Sequence, residues 1–234
     1  MPAPLARRRG FGHSAAMSTD RDDLPEFASS PCFAHELELG PDGYAVVDAQ
    51  TARDVSRWRK SKREELIAAR LAIPADTRAE MADQIAAQLT RLISPDKSMV
   101  ISLYWPFRGE PDLRGWMREA FDLGARIALP IVVAKAQPLL FREWTPDGKL
   151  ERGVWNIPVP ADGAELVPNV VISPLVGFDP DNYRLGYGGG FYDRTLAAMT
   201  TPREVIGIGY ASSALPTIFP QPHDIAMDRI VLGG

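Results

Sequence analysis

The sequence predicts an α/β fold: a three-layer α/β/α single domain with a mainly parallel central sheet over residues 51–234, behind an irregular N-terminal extension over residues 1–50. Three observations predict it. The runs Ser98–Trp105 and Val170–Phe178 are apolar almost throughout, as strands buried on both faces of a parallel sheet must be. Stretches of helical period alternate with such runs, the order that lays helices onto a sheet. Residues 18–50, by contrast, are rich in Asp, Ser, Pro and Gly and keep no sustained period.

The chain has 234 residues, with 26 Lys and Arg against 30 Asp and Glu and a formal net charge of -4. That length suits one domain plus additional chain. The mildly acidic balance is the opposite of a nucleic-acid footprint, and no apolar run approaches the roughly 20 residues that span a bilayer. Nucleic-acid and membrane partners are therefore not expected. Cys32 is the single cysteine, which excludes an intramolecular disulfide and suits a reducing compartment. Its polar surroundings read as an incidental thiol, and Cys32 with His35 lacks the second pair of ligands a metal site needs. Arg7-Arg8-Arg9 is followed by no apolar core, which argues against a secretory signal. The same composition also fits a transit peptide, and Met17 is an alternative start.

Taken in order, Gly43–Val47 is either a short strand or a segment lying across the domain. Thr51 caps a helix running through Val55, Trp58, Lys62, Leu66, Ile67 and Leu71, ended by Pro74. Arg53, Arg57, Arg59, Lys60, Lys62, Arg63 and Arg70 are assigned to its exposed face. Interleaved Asp54, Glu64 and Glu65 fit a salt-bridged surface as well as a basic face for a polyphosphate. Asp76 or Thr77 opens a second helix with a core stripe of Met81, Ile85, Ala86, Leu89, Leu92 and Ile93. The strand Ser98–Trp105 exits into Pro106–Asp112, and ligand sites of open α/β sheets gather at such carboxyl ends. Asp112 reads as the N-cap of a helix over Leu113–Leu123, closed by Gly124 in the left-handed conformation. Arg126–Val133, which Pro130 can break, and Pro138–Trp144 supply strands, with a turn at Pro146-Asp147-Gly148. Trp155 beside prolines reads by itself as a packing wedge. Glu204–Tyr210 is a strand, and a last one follows Asp224.

The richest stretch is Arg184-Leu185-Gly186-Tyr187-Gly188-Gly189-Gly190-Phe191-Tyr192-Asp193-Arg194, between the strand ending near Phe178 and a helix over Tyr192–Met199. Glycines let backbone N–H groups turn inward, and a helix start adds partial positive charge, so the arrangement suits an anion. Arg184 and Arg194 add bidentate donors for phosphate oxygens. A glycine cluster alone fits a tight packing loop equally well, and this one matches neither the P-loop nor the dinucleotide spacing.

The whole string, preceded by Pro174-Leu175-Val176-Gly177-Phe178-Asp179, closely resembles the signature of the 5-formyltetrahydrofolate cyclo-ligase (methenyltetrahydrofolate synthetase) family. Trp155-Asn156-Ile157-Pro158 resembles its second string, and the resemblance covers roughly residues 55 to 234. It implies ATP-dependent conversion of 5-formyltetrahydrofolate to the 5,10-methenyl form with release of ADP and phosphate, via phosphorylation of the formyl oxygen, by a cytoplasmic and monomeric protein whose partners are the small molecules folate and ATP. It assigns the nucleotide to Arg59, Lys60, Arg63, Arg184 and the run Gly186, Tyr187, Gly188, Gly189, Gly190, Phe191, Tyr192 and Asp193. The folate falls to Phe107, Glu110, Trp155 and Tyr192. Arg184 and Tyr192 are the catalytic candidates, and Asp193 and Asp224 the candidate ligands of Mg²⁺. For Asp193 a first-turn acid favoured by the helix dipole is an equal reading, and His223 reads as a structural neighbour.

The sequence also departs from the family. Arg59 stands where the family has lysine, Lys62 where it has leucine, and Gly189 where some members carry lysine. Ser212-Ser213 replace an expected glutamine. The departures motivate an alternative, a diverged member that binds a nucleotide or another pterin without cyclo-ligase activity. A non-catalytic interaction protein with a docking extension is the rival from another class.

Overall fold

The computed structural model describes residues 37–40, 43–46, 49–200 and 204–234. Arg7-Arg8-Arg9, Met17, Cys32 and His35 lie outside them. A hairpin of β1 (Leu37–Gly40) and β2 (Gly43–Val46) stands inside the stretch read as irregular. α1 (Ala49–Ala72) begins two residues before the expected Thr51, which is 1% exposed within its first turn and is no cap. α2 (Ala75–Ile93) starts directly behind Pro74 and buries Ile85, Leu89 and Ile93 of the predicted stripe together with Ala82, while Met81, Ala86 and Leu92 are half-buried.

β3 (Val100–Ser102) is shorter than its apolar run, because the following residues leave the ladder to form the loop described below. In α3 (Arg114–Asp122) the N-cap is Leu113 rather than Asp112. The Asp112 carboxylate instead accepts from the Arg114 amide (3.1 Å) and guanidinium (2.8 Å). Gly124, at φ +102°, closes the helix with its amide on the Phe121 carbonyl, as expected.

β4 (Arg126–Ile131) pairs antiparallel with β5 (Leu140–Trp144), and Pro130 lies opposite Phe141 without breaking the strand. It is tolerated because β3 pairs with β4 only as far as Ala128, so no parallel-ladder bond needs the missing N–H. β6 (Leu150–Arg152) and β7 (Pro158–Pro160) form a hairpin around a 3-10 turn at Val154–Asn156. The long apolar run divides into β8 (Val170–Pro174) and β9 (Gly177–Phe178), which folds back on β10 (Arg184–Leu185). α4 (Phe191–Ala198), β11 (Glu204–Tyr210) and β12 (Arg229–Gly233) complete the described elements.

The central sheet has the order β12-β11-β8-β3-β4-β5. Only the β4–β5 pair is antiparallel; the pairs from β4 through β3, β8 and β11 to β12 are parallel. One face carries Ile101, Ile127, Val170, Ile172, Ile206, Ile208 and Val231 against α2 and α3. The other packs Val171 and Val205 against Leu196 of α4 and Met227. α1 packs through Val55 and Trp58 on Phe219, whose ring meets the indole edge-on at 4.8 Å.

The approach of α2 to β12 is close. A Cβ on Gly233 would lie 2.5 Å from the Met81 carbonyl oxygen, part of a helix backbone that cannot yield locally. Gly233→Ala should cost about 1–3 kcal/mol by overpacking, and thermal unfolding should register it as a drop of several degrees.

From β3 the chain moves outward to β4 and β5, then returns to β3's other side for β8, β11 and β12. β3 and β8 thus flank a topological switch point, where loops leaving the carboxyl ends diverge and open a crevice.

Candidate active site

The crevice is a cavity of about 400 Å³ at this switch point, beside which two further pockets hold only about 80 and 20 Å³. The loop after β3 supplies Tyr104, Trp105, Phe107 and Glu110; the glycine-rich loop and α4 supply Arg184 and residues 186–193. α1 contributes Arg59 and Arg63, the β6–β7 hairpin Trp155, and the segment before β12 Asp224. All the sequence-predicted site residues line it except Lys60 and Arg194. Adjacent helical residues point about 100° apart, so Arg59 turns inward while Lys60 faces solvent.

Loop conformation follows from the glycines. Gly188 (φ +92°) and Gly190 (φ +62°) occupy the left-handed region, and Gly190 is the N-cap of α4. Arg63 Nε donates to the Gly186 carbonyl at 2.7 Å, and Arg194 donates to the Gly189 carbonyl. Both carbonyls are therefore engaged by guanidinium donors. Arg194 closes onto its own loop and does not line the cavity. Burial, then the charge of Arg59, holds the Arg63 guanidinium down at about 10, still a full cation at neutral pH.

Arg184 is 5% exposed. Its guanidinium meets the Asp193 carboxylate at 3.1 Å and lies 5.3 Å from the Tyr192 ring centroid. Tyr192 lines the cavity, and its hydroxyl is buried without a partner; burial pushes its ionisation well up, so it is a neutral donor. At the other end Glu110, 6% exposed, accepts from the Phe107 amide at 2.9 Å and the Tyr187 hydroxyl at 3.1 Å. Burial raises its carboxyl to about 7, against the opposing pull of Arg70. Phe107 and Trp155 lie nearly parallel (11°) with centroids 6.5 Å apart, and Phe191 meets Trp155 edge-on. Trp155 is no buried wedge: it is 55% exposed and held, with Asn156, at positive φ at the cavity mouth.

Two residues expected on the exposed face of α1 are buried. Arg59 is 8% exposed and forms a bidentate pair with Asp224 (2.7 and 3.0 Å). Arg70, 5% exposed, bonds to the Arg108 and Leu175 carbonyls and to the Tyr187 hydroxyl. Neither its burial nor this role was read from the sequence. The signal was present, since Arg63 and Arg70 stand seven residues apart and share a helix face.

No group of three His, Cys, Asp or Glu side chains suited to a metal occurs among the described residues. The two carboxylates named for Mg²⁺ are already engaged: Asp224 by Arg59 and the Gln221 amide, Asp193 by Arg184 and the Ile225 amide. As arranged, these residues do not fit a resident magnesium cage. His223 is exposed and 4.0 Å from Asp224. Ser213 satisfies its hydroxyl on the Tyr210 carbonyl, and neither Ser212 nor Ser213 reaches the main cavity in place of the absent glutamine.

The model of the 5-formyltetrahydrofolate cyclo-ligase family matches residues 55–233. The 5-formyltetrahydrofolate cyclo-ligase of Mycolicibacterium smegmatis is 28% identical over 75% of this chain and 93% of its own length. That of Escherichia coli is 32% identical over 54% of this chain and 73% of its own. The NMR structure of Aquifex aeolicus 5,10-methenyltetrahydrofolate synthetase superposes with a TM-score of 0.65 at 25% identity, covering 74% of this chain and 89% of that one. A 5,10-methenyltetrahydrofolate synthetase from Mycoplasma pneumoniae, at 23% identity and a TM-score of 0.62, shares the fold over 97% of its length. With most of the folded chain matched and the signature residues gathered around one crevice, the protein belongs to the 5-formyltetrahydrofolate cyclo-ligase family.

Proposed function

We propose that the protein converts 5-formyltetrahydrofolate and ATP to 5,10-methenyltetrahydrofolate, ADP and phosphate in this crevice. One observation carries the reading: the cavity joins an aromatic end with a buried carboxylate to a glycine-rich, arginine-lined end. The first suits a planar pterin with paired N–H donors, the second a chain of phosphates.

The formyl group on N5 is an amide, whose oxygen is a poor leaving group. In the first step this oxygen attacks the γ-phosphorus as the bond to the β-phosphate oxygen breaks, and ADP leaves. N10 then attacks the activated carbon of the iminium phosphate; the C–O bond breaks, phosphate departs and N10 gives up its proton. Catalysis of this kind is positioning and charge neutralisation. Arg184 and Arg63 face the transferred group, the glycine-loop amides line the phosphates, and the neutral Tyr192 hydroxyl donates toward the oxygen that receives the phosphoryl group. A magnesium ion carried by the nucleotide would supply charge neutralisation there.

The test is purified protein with 5-formyltetrahydrofolate, Mg²⁺ and ATP, followed by near-ultraviolet absorbance of the methenyl product. ATP-dependent growth of that signal supports the reading. A flat trace from folded protein that binds ATP favours the diverged relative, for which the engagement of Arg59 by Asp224 is the motive.

Glu110 gives the reaction a pH signature. A carboxylate accepts two pterin donors and a protonated carboxyl does not, so kcat/KM for the folate should climb as pH rises through about 7 and level off above it. Glu110→Gln should lose that step and about 1.5–3 kcal/mol of binding, roughly 10–100-fold in kcat/KM. Stability runs the opposite way. A raised carboxyl contributes fully below its unfolded value of 4.5, and the contribution is lost as pH climbs through about 7.

A further inference from the structure

The strongest unassigned feature joins the two ends of the cavity. Arg70 Nε donates to the Arg108 carbonyl at 2.9 Å, one terminal nitrogen to the Leu175 carbonyl at 3.2 Å, and the other to the Tyr187 hydroxyl. These partners belong to three segments: the loop after β3, the exit of β8 and the glycine-rich loop. Because a guanidinium only donates, the Tyr187 oxygen accepts from Arg70 and its own proton must point elsewhere. The nearer acceptor is the Glu110 carboxylate at 3.1 Å; the Phe107 carbonyl is at 3.4 Å. The bonds therefore have one direction, from α1 through the glycine-rich loop to the carboxylate at the folate end. Glu110 is held by two donors on two loops, the Phe107 amide on its own loop and Tyr187 on the other.

We infer that Arg70 and Tyr187 are positioning residues that couple the two ligand sites, so that nucleotide on the glycine-rich loop tightens folate binding at Glu110, and folate tightens nucleotide binding. The inference rests on the ligase reading above. Nucleotide that orders residues 186–190 fixes Tyr187, which keeps Glu110 oriented and ionised to receive the pterin. Displacement of Tyr187 would cost the buried carboxylate a donor. Among the described residues, Arg70 is the cation whose charge bears on Glu110. Tyr104 after β3, Tyr187, Tyr192 on α4 and Tyr210 on β11 all have their ionisation pushed upward, chiefly by burial, and remain neutral. Reciprocity is a thermodynamic requirement of such coupling.

The experiment measures the affinity for 5-formyltetrahydrofolate by calorimetry, with and without a saturating non-hydrolysable ATP analogue and Mg²⁺. It compares wild type, Tyr187→Phe and Arg70→Lys. Wild type should bind the folate about tenfold tighter in the ternary complex, within the usual range of coupled sites. In Tyr187→Phe the ring stays and the relay hydroxyl goes, so the ratio should fall to within about twofold of unity while each ligand alone still binds. The pH midpoint of folate affinity should move upward, because a donor to the carboxylate is gone. Arg70→Lys keeps the charge and loses the fork, so the ratio should fall with little change in that midpoint. A purely structural role would lower thermal stability and weaken both ligands while leaving the ratio untouched. A wild type that binds both ligands independently, or a ratio preserved in Tyr187→Phe, overturns the coupling alone. A wild type that binds neither overturns the ligase reading and the coupling with it. If Arg70→Lys fails to fold, the conservative Tyr187→Phe decides.

Discussion

Arg184→Ala should lower kcat for methenyl formation by about 10³-fold or more, the scale on which an arginine facing a transferring phosphoryl group acts. The expectation follows from placement. Arg184 leaves β10 directly beneath the glycine-rich loop, is 5% exposed, and is aimed by Asp193 on one side and Met227 sulfur on the other. A buried cation held this way needs no reorganisation as charge develops on the migrating group. Stopped assays for ADP and methenyl product, with circular dichroism to establish folding, would check it. Arg184→Lys separates charge from geometry, since an ammonium keeps the charge but cannot reproduce the planar fork. The lysine variant should fall between wild type and alanine. Near-normal turnover in a folded alanine variant would remove Arg184 from the mechanism.

The second large effect is on stability. Arg59→Met or Asp224→Asn should each cost about 3–5 kcal/mol, because either leaves one member of a buried, bidentate ion pair without its counter-charge. Side-chain exposures of 9% and 6% leave little water to compensate. For a domain of this size the loss corresponds to a fall in Tm of roughly 6–20 °C. The double variant, with neither charge stranded, should recover much of it. A thermal-denaturation double-mutant cycle measures the coupling. Single variants within about 1 kcal/mol of wild type would show that the pair is not an anchor.

What the sequence revealed depended on whether the information was local. β11 matches its expected Glu204–Tyr210 span, and α2 buries Ile85, Leu89 and Ile93 of its expected stripe, because apolar periodicity directly expresses one-sided burial. The crevice residues were legible through two strings, W-N-I-P and the glycine-rich run, whose spacing is set by loop geometry. The failures share a cause. Charge on α1 was equated with exposure, although Arg59, Arg63 and Arg70 at i, i+4 and i+11 share one inward stripe, the first two lining the cavity and the third bonded to the loops behind it. The stripe's anchor, Asp224, lies 165 residues away, beyond any local pattern. Lys60 was drawn into the site by adjacency alone, against the 100° turn between neighbours. The positive φ of Trp155 and Asn156 is imposed by the β6–β7 hairpin, not by the preference of either residue.

That separation between Arg59 and Asp224 bears on how the protein is made. Synthesis is vectorial, and α1 leaves the ribosome long before the segment carrying Asp224. Until that segment arrives, the Arg59 guanidinium has water for a partner and no reason to turn inward. The wall of the crevice formed by α1 is therefore finished late, when the two ends of the domain meet. Unfinished chains, which present the glycine-rich loop without this wall, have no closed chamber in which to spend ATP on water.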